Sequence, residues 1–454
     1  MDKTSGVMLG AVVCLAPLPY GSDQYGWVCI WMGMLCAAVL LQLCIAQLPS
    51  RKAPLVTVSA IGFALVALAA FQLSDLVPSQ FVHPAWSIAS EHGIAAPGRI
   101  AVEAGAPLRA LASPLAVLLA FVAGYLRADR RSQCWSLIKI FVISGVIYAL
   151  LGIFVGVANP GYVLFERKIA YQEDFTGTFI NRNTAASYFG VCLLAAGTIA
   201  FRAWRDNWPT GYLPAKERFL FLVRMLTSAT ILWILAVAVL LVAILLTGSR
   251  AGTATSAFSA FILLILLIRK IDQALRTAVL LAAIVAAVAI VQIFGAGNIL
   301  KRVSEGFHEN GRYDTWASSW NIVRDYPWFG TGLGSFKMAF PPYRQSDVGI
   351  MQIWEKAHST PLEWAVELGL PAASVMTIVW IFAQFILLRK YLMEPHAYAL
   401  PALGLGAMIL IEVHSAVDFP MQIAGCAIPI TVLLGAIFRQ VLDENSITMQ
   451  RVPG

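Results

Sequence analysis

The chain has 454 residues, of which 59% are hydrophobic and only 13% are charged, and its mean hydropathy is +0.74. A soluble domain carries roughly 25% charged residues, so this composition excludes an ordinary soluble protein. The net charge of +7 does not indicate a nucleic-acid partner, because basic residues collect in the cytoplasmic loops of membrane proteins. The cysteines form no CxxC pair, so neither a metal site nor a disulfide framework is expected.

The apolar residues form blocks of about 18 to 24, the length at which a helix crosses the hydrocarbon core. They do not alternate with polar residues as the strands of a membrane β-barrel do. The sequence therefore predicts an all-α, polytopic membrane protein with about twelve transmembrane helices in one domain, residues 1–454. The first block lacks a small-residue cleavage site and is interpreted as a span rather than a signal peptide. The predicted spans are 6–20, 26–47, 55–75, 108–126, 134–157, 183–202, 226–247, 252–268, 276–294, 361–388, 397–417 and 421–438.

Basic residues favour one orientation of these spans. Short connections near 20–26 and 418–421 contain no Lys or Arg, so they are predicted to face outward and both termini to lie in the cytoplasm. The predicted inner connections carry Arg51, Lys52, Arg127, Arg130, Arg131, Arg202, Arg205, Lys216, Arg218, Arg224, Arg269, Lys270, Arg276, Arg389 and Lys390.

Arg250 is an exception to this charge pattern. It lies in LLTGSRAG, residues 245–252, in a very short outer turn between two apolar spans. Either its long side chain reaches the membrane interface from the edge of a span, or it holds an anionic ligand at the outer boundary.

The longest predicted outer segment, about 295–360, contains an amphipathic pattern. Asn310 and Gly311 form a turn signal, and Arg312 would begin the helix that follows. The aromatic face of this helix either lies at the membrane interface or packs on the bundle. Its apolar positions are Tyr313, Trp316, Trp320 and Val323. The glycines of residues 330–334 predict a turn and not a dinucleotide site, because no βαβ unit surrounds them.

The outer segment ends in KAHSTPLEWAVELGLP, residues 356–371. Thr360, Pro361 and Glu363 fit an N-cap, a first-turn proline and a capping-box glutamate, so a helix is predicted to start near Pro361. His358 would lie at the outer mouth of the bundle. It is either a hydrogen-bonded interface residue or a general base, because a helix N-terminus nearby favours the neutral imidazole.

Two further polar stretches fall at predicted outer span ends. In IEVHSAVDFPMQ, residues 411–422, His414 and Asp418 are four apart and are predicted to share a helix face, in a structural network or in the site itself. In FINRNTAA, residues 179–186, the asparagines either cap a helix or bind sugar hydroxyls; this stretch supplies Asn181, Arg182 and Asn183. Arginines, amides and one histidine at a single face fit a ligand that contains phosphates and sugars.

The motifs LLTGSRAG, GRYDTW with PWFGTGLGSF, AHSTPLEWAVELGLP and VHSAVDFPMQ resemble, in this order, the O-antigen ligase/O-antigen polymerase superfamily of bacterial envelope enzymes. The resemblance covers about residues 177–435, and the N-terminal spans match only in general character. It implies an all-helical glycosyltransferase of the C-type architecture in the bacterial inner membrane, metal-independent and without a cofactor. Such an enzyme moves a glycan from an undecaprenyl-diphosphate carrier to a glycan or lipid A-core acceptor at the periplasmic face.

The resemblance also implies roles for individual residues. Arg250 and Arg312 match the expected diphosphate binders, and His358 matches the expected base. The other candidate substrate-binding positions follow from their places at the outer span ends and on the amphipathic helix rather than from the resemblance; they are Asn181, Arg182, Asn183, Trp316, His414 and Asp418. Many relatives have asparagine after the histidine, where this chain has Ser359. A single displacement at the sugar would invert the anomeric centre, because no nucleophile with its own base is evident in the sequence.

Several functions remain open at this point. A polymerase, a ligase and a protein O-glycosyltransferase share the same donor chemistry, and the sequence does not separate them. The alternative of another class is a flippase or transporter for a lipid-linked glycan. Transporters place polar groups near the bilayer midplane, whereas here they gather at outer span ends, which favours an enzyme. Residues 78–107, with Trp86 and His92, form either a lid or a cover.

Overall fold

The computed structural model describes residues 2–443 except 46–47, 95–96, 160, 169, 208–228, 270–272, 274–275, 278–310, 345–352 and 395–397. Its helices are α1 (Asp2–Leu15), α2 (Tyr25–Ile45), α3 (Ala53–Leu73), α4 (Ala85–Glu91), α5 (Ala106–Ala110), α6 (Ala112–Arg127), α7 (Arg131–Ala158), α8 (Arg182–Asn207), α9 (Thr230–Leu246), α10 (Arg250–Ile268), α11 (Arg312–Asp325), α12 (Phe336–Ala339), α13 (Thr360–Leu368), α14 (Leu370–Met393), α15 (Ala399–Ser415) and α16 (Ala424–Leu442). Short 3-10 turns lie at Tyr20–Ser22, Ser79–Phe81, Pro341–Tyr343 and Pro420–Gln422. The strands β1 (Tyr162–Val163) and β2 (Glu166–Arg167) form an antiparallel hairpin.

These helices confirm the all-α, polytopic class. Within the described residues, 8 helical segments are long and apolar enough to cross a membrane when α5 and α6 are taken together as one segment, Ala106–Arg127, and the shorter α9 and α15 are also apolar. The predicted span 276–294 lies almost wholly outside the described residues, so the total of about twelve stays a prediction. The predicted span 6–20 corresponds to α1, which already ends at Leu15 because Pro17 and Pro19 follow and cannot continue a helix.

The predicted single span 361–388 is wrong, because Gly369 divides it into α13 and α14. Gly369 has φ 82°, a left-handed conformation that favours glycine. A Cβ at this position would lie 2.3 Å from the carbonyl oxygen of Trp328, so the backbone of another segment packs directly on the break. Tertiary packing therefore ends α13 within an apolar stretch that reads as one continuous helix.

Helices α8 and α16 form the centre of the bundle, since their most apolar windows are 83% and 89% buried by protein. By contrast, α3 and α14 are only 11% buried and leave most of their surface to lipid. Small residues bring α6 against α16: a Cβ on Gly124 would lie 2.0 Å from the carbonyl oxygen of Val432. Backbones that approach so closely gain van der Waals contact, which stabilises helix pairs in a membrane.

The two ends of the bundle carry different sets of polar residues. At one end, here called the basic end, Arg202 lies over the ring of Trp135 at 4.5 Å and Arg269 over that of Tyr391 at 5.4 Å. Helices α8 and α10 both end there, whereas both begin at the opposite end, here called the site end. The predicted segregation of inner arginines from the candidate ligand residues is thus reproduced along these two helices.

The segment after α11 is built onto α13 and α3. The predicted turn at 330–334 is confirmed: Gly330 has φ 65°, and a Cβ there would lie 2.4 Å from the backbone of Glu367. The buried Gln72 of α3 ties both segments together, because its amide donates to the carbonyls of Phe329 at 2.7 Å and Glu367 at 2.8 Å. These bonds give the site end a fixed scaffold.

Helix α11 confirms in part that its apolar stripe packs on the bundle, whereas its position at the membrane interface stays a prediction. Ile322 and Val323 are buried in a hydrophobic cluster with Phe336, Phe340 and Val366, so one face of the helix packs on the protein. Tyr313 and Trp320 remain about half exposed, so the aromatic edge of the helix is open. Within the segment 78–107, His83 stacks on Tyr326 in the turn that follows α11, with ring centroids 5.0 Å apart.

Candidate functional site

The polar residues of the site end meet at Asp418, which is completely buried in the turn after α15. Its Oδ2 accepts from Asn183 Nδ2 at 2.6 Å and from Arg312 Nη2 at 3.2 Å. Its Oδ1 accepts from the backbone N–H of Phe419 at 2.9 Å. A buried carboxylate is costly unless it is paired and hydrogen-bonded, and these three donors meet that need.

The charge on Asp418 is stabilised by its neighbours. Burial by itself would raise its pKa, but the proximity of His358 and the charge of Arg312 outweigh burial and lower the pKa below its ordinary value. His358 Nδ1 lies 4.0 Å from Asp418 Oδ1, which is beyond ordinary hydrogen-bond distance. Asp418 is therefore ionised at neutral pH and can serve as a fixed negative charge.

Arg312 is held at the first position of α11. Gly311 precedes it in a left-handed conformation, φ 59°, which turns the chain into the helix as the Asn310–Gly311 signal predicts. Its Nη1 donates to the carbonyl of Val417 at 3.2 Å while Nη2 binds Asp418. The side chain is 25% exposed, so part of the guanidinium still faces outward from this anchored position.

His358 has a constrained position beside the same carboxylate. Its φ of 51° is left-handed, which is uncommon for a residue with a Cβ and is found where the surroundings impose a strained backbone. Its ring meets Phe419 edge to face at 5.0 Å and Trp354 at 5.5 Å. Nδ1 is buried and has no hydrogen-bond partner among the described residues, whereas the side chain as a whole is 20% exposed. The exposed part of the ring leaves Nε2 as the nitrogen that a ligand can reach.

The start of α13 differs from the predicted capping box. The N-cap is Ser359, not Thr360, and Thr360 Oγ1 instead donates to the carbonyl of Asp418 at 3.2 Å. Glu363 reaches back beyond the cap and accepts from the backbone N–H of Ala357 at 2.8 Å and from Lys356 Nζ at 3.3 Å. The predicted capping box was wrong because the side chains of both Thr360 and Glu363 form hydrogen bonds outside the helix cap. These bonds fix the backbone on either side of His358.

Trp316 supports the same backbone from α11. Its indole Nε1 donates to the carbonyl of Ala357 at 3.0 Å, immediately before His358. The side chain is half-buried and its ring lies edge to face with Tyr313 at 5.3 Å. In this structure its polar atom is engaged by the protein, so a direct contact with a ligand would use the ring.

The start of α10 presents Arg250 to the exterior. Ser249 is the N-cap: its Oγ accepts from the backbone N–H of Gly252 at 3.1 Å and donates to Asn183 Oδ1 at 2.7 Å. Arg250 is exposed, and its guanidinium makes no hydrogen bond or ion pair within the described part of the chain. Gly252 allows close packing, since a Cβ there would lie 2.4 Å from Ala186 Cβ. Ser249, the residue before Arg250, is thus linked to Asp418 through Asn183.

His414 does not pair with Asp418 as predicted. Helix α15 ends at Ser415, so the two residues do not share a helix face. His414 is completely buried, and its Nδ1 forms a short hydrogen bond with Ser187 Oγ of α8. The carboxylate of Asp418 faces Arg312 and His358 instead, partners that lie far away in the sequence.

Asn181, Arg182 and Asn183 have separate roles at the start of α8. Asn181 Oδ1 accepts from the backbone N–H of Asn183 at 2.7 Å, as a cap does. Asn183 is buried between Ser249 and Asp418, so both its amide nitrogen and its amide oxygen are hydrogen-bonded within the protein. Arg182 forms an ion pair with Asp174 at 2.9 Å, and its side chain is about one third exposed.

Several residues of the site end were not identified from the sequence. Gln72 had a signal, because a glutamine near the end of an apolar span usually needs a partner. Glu367 is buried, and burial together with the neighbouring charge of Glu363 raises its pKa to about 7. Tyr171 and Asp174 had no recognisable signal, because they lie in an irregular polar loop.

The arrangement combines a reachable imidazole, two guanidinium groups that are at least partly exposed, and one buried carboxylate. Such a site can accept a proton at His358 and bind an anion at Arg250 and Arg312. Residues 234–377 match the family model described as O-antigen ligase, and this segment contains all three residues. No curated protein matches the chain. The family match confirms the resemblance to the O-antigen ligase/O-antigen polymerase superfamily.

Proposed function

We propose that this chain of the O-antigen ligase/O-antigen polymerase superfamily transfers a glycan from an undecaprenyl-diphosphate carrier to an acceptor hydroxyl at the periplasmic face of the inner membrane. The family match supports glycosyl transfer of this general type. The observation that carries the finer proposal is the convergence of Arg312 and His358 on one buried carboxylate, Asp418.

His358 would act as the general base. Asp418, 4.0 Å from Nδ1, favours a proton on that nitrogen and leaves Nε2 free to accept one. Nε2 removes the proton of the acceptor hydroxyl as its oxygen attacks the anomeric carbon. The bond from that carbon to the diphosphate oxygen breaks, and the diphosphate leaves with the electron pair. One displacement of this kind inverts the anomeric centre, and such a base typically contributes about 10²–10⁴-fold in rate.

Arg250 and Arg312 would bind the leaving diphosphate. Negative charge grows on its bridging oxygen as the bond breaks, and guanidinium groups already in place stabilise that charge without reorganisation. In this proposal they supply the positive charge that a divalent cation supplies in many sugar transferases. The ion pair with the buried Asp418 holds Arg312 in place. By contrast, Arg250 is exposed and free of protein partners within the described residues. Arg250 is therefore the side chain most available to a new anion.

The position of the site supports an enzyme over a flippase. The site is made at helix ends, where α8, α10, α11 and α13 begin and α15 stops. A flippase must carry the glycan headgroup past the midplane, and its polar residues are expected there. An enzyme that receives its substrate at one face needs only the polar groups of that face.

The decisive comparison is Arg250→Ala with Arg269→Ala, since these arginines lie at opposite ends of α10. Purified full-length protein in detergent would receive a labelled lipid-diphosphate repeat unit, with a chelator and without added metal. Arg250→Ala should lower the release of undecaprenyl diphosphate about 100-fold, because a charge-assisted contact in the transition state is lost. Arg269→Ala should stay within about threefold of wild type, since it lies at the basic end.

Other arms of this assay separate the acceptors. Longer lipid-linked chains without a second substrate would identify a polymerase, and transfer only after addition of lipid A-core would identify a ligase. If folded wild-type protein released no lipid diphosphate in either arm, the transferase proposal would be wrong and a flippase would replace it. Normal release by Arg250→Ala would remove the assigned role of Arg250.

A further inference from the structure

The loop before α8 places a second ion pair at the site end. Arg182 Nη1 donates to Asp174 Oδ1 at 2.9 Å, and the two side chains are 33% and 31% exposed. The guanidinium of Arg182 also lies over the ring of Tyr171, 5.3 Å from its centroid. The pair is therefore oriented by an aromatic surface but remains within reach of water and ligands.

This pair lies beside the turn that presents Arg250. Gly248, in that turn, has φ 59°, and a Cβ built on it would lie 3.6 Å from Arg182 Nη1 and 3.7 Å from Asp174 Oδ1. Two residues further on, α10 begins with the exposed Arg250. The Arg182–Asp174 pair therefore borders the proposed diphosphate site from the side of α8.

Tyr171 lies within electrostatic reach of both the Arg182–Asp174 pair and the Arg312–Asp418 pair. Burial raises its pKa most, the charge of Asp418 raises it further, and the charges of Arg312 and Arg182 oppose the increase. The phenol is thus within electrostatic reach of both ion pairs. Its backbone is left-handed, φ 54°, and its carbonyl accepts from the backbone N–H of Asp174 at 3.1 Å. A strained backbone that persists indicates that the ring position is imposed by its surroundings.

We propose that Arg182, supported by Tyr171, is a third phosphate-binding cation, and that Asp174 occupies the place of a phosphate oxygen in the ligand-free protein. The inference rests on the proposed function, because it extends the same diphosphate site. Carboxylate and phosphate oxygens bind guanidinium with the same two-point geometry. A partly exposed ion pair contributes only about 0–1 kcal/mol, so a doubly charged diphosphate can displace Asp174.

The backbone of Asp174 is held separately from its carboxylate, so the side chain can leave Arg182 without a change in the main chain. Lys168 Nζ donates to the backbone carbonyl of Asp174 at 2.6 Å, which holds the main chain independently of the carboxylate. Asp174 therefore screens Arg182 until a diphosphate arrives. A purely structural ion pair predicts the opposite, namely that loss of either partner damages the site equally.

The test measures binding of radiolabelled inorganic pyrophosphate to purified full-length protein in detergent. Arg182→Gln should weaken binding about five- to tenfold, because one charge-assisted contact is lost. Asp174→Asn should strengthen binding about threefold or more, because a competing anion is removed. In the Arg182→Gln background, Asp174→Asn should change binding by less than about twofold, since the screened cation is absent. Glu173→Gln removes an exposed charge of the same loop and should also change binding by less than about twofold.

The ring of Tyr171 gives an independent readout. Tyr171→Phe keeps the surface under Arg182 and should bind pyrophosphate within about threefold of wild type, whereas Tyr171→Ala should resemble Arg182→Gln. Undecaprenyl diphosphate should compete with pyrophosphate, and phosphatidylglycerol should not. Equal competition by phosphatidylglycerol would identify a lipid-headgroup site and overturn the assignment to a diphosphate.

The outcomes separate this inference from the proposed function. If Arg250→Ala weakens pyrophosphate binding and Arg182→Gln does not, only the role of Arg182 is wrong. If neither variant changes binding, the diphosphate site itself is wrong. If Asp174→Asn weakens binding as much as Arg182→Gln, the pair is structural and the screening role is refuted. Arg182→Lys keeps the charge and should bind better than Arg182→Gln, which tests the cation even if the glutamine variant folds poorly.

Discussion

Replacement of Asp418 by asparagine tests the centre of the proposed site. The carboxylate accepts from Arg312, Asn183 and the backbone N–H of Phe419. An asparagine of the same shape has only one accepting oxygen, so its amide nitrogen must face at least one of these donors. Asp418→Asn therefore removes the negative charge that pairs with Arg312. It also places the amide N–H groups of the asparagine against another buried hydrogen-bond donor, which is unfavourable.

The magnitude follows from the burial of the two partners. Loss of one member of a fully buried ion pair costs about 3–5 kcal/mol. Asp418 is completely buried, but the Arg312 side chain is 25% exposed and can take up water after the change. We therefore expect a loss of about 2–3 kcal/mol in the free energy of unfolding. The turnover rate should fall about 100- to 1,000-fold, because His358 loses the negative charge beside Nδ1 and Arg312 loses its anchor.

Thermal unfolding and release of lipid diphosphate would be measured on the same purified samples. The control is Glu412→Gln, which changes another acid of α15 whose carboxylate accepts from Gln384 rather than from the site. The control should keep a turnover rate within about threefold of wild type. If Asp418→Asn did the same, the proposal that Asp418 organises Arg312 and His358 would be refuted.

The pH dependence of stability gives a second measure for Asp418. Because its pKa is lowered in the folded protein, the ionised group stabilises the fold above the pKa of the unfolded chain. This contribution is lost as the pH falls through the lowered folded value. The difference in Tm between wild type and Asp418→Asn should therefore be full near neutral pH and shrink below about pH 4. A difference that stayed constant into that acidic range would contradict the lowered pKa.

Three further predictions concern other parts of the site end. His358→Gln should lower kcat about 100-fold or more with little change in KM, whereas the exposed His92→Gln should leave both unchanged; equal loss in the two variants would exclude the assigned base. Because the pKa of Glu367 is raised to about 7, its ionisation opposes folding as the pH rises from the unfolded value toward neutral. When Tm is measured over this pH range, the Tm of Glu367→Gln should increase relative to that of wild type as the pH rises. Parallel curves of Tm against pH for the two proteins would contradict this. Gly252→Ala should cost about 1–3 kcal/mol of stability because its Cβ would clash at 2.4 Å, while Gly197→Ala, with no atom within 4 Å, should be neutral or stabilising; equal Tm values would refute the close packing.

The sequence alone predicted the all-α class, most span positions and the segregation of charge. Lipid imposes these features locally, since every spanning segment must be apolar over its own length and each short loop carries its own charge signal. The turn at 330–334 and the start of α11 after Gly311 were predictable for the same reason, because both depend on nearby backbone preferences. The roles of Arg250, Arg312 and His358 were inferred from short motifs and stay predictions.

Only the tertiary structure decided how these residues pair. The sequence predicted that Asp418 interacts with its near neighbour His414. In the structure, the carboxylate binds Arg312, 106 positions away, and Asn183, 235 positions away. Likewise, the break at Gly369 depends on the backbone of Trp328 that packs against it. A buried polar group takes whichever donor the packed helices bring close, and that choice depends on contacts across the whole bundle rather than on spacing along the chain.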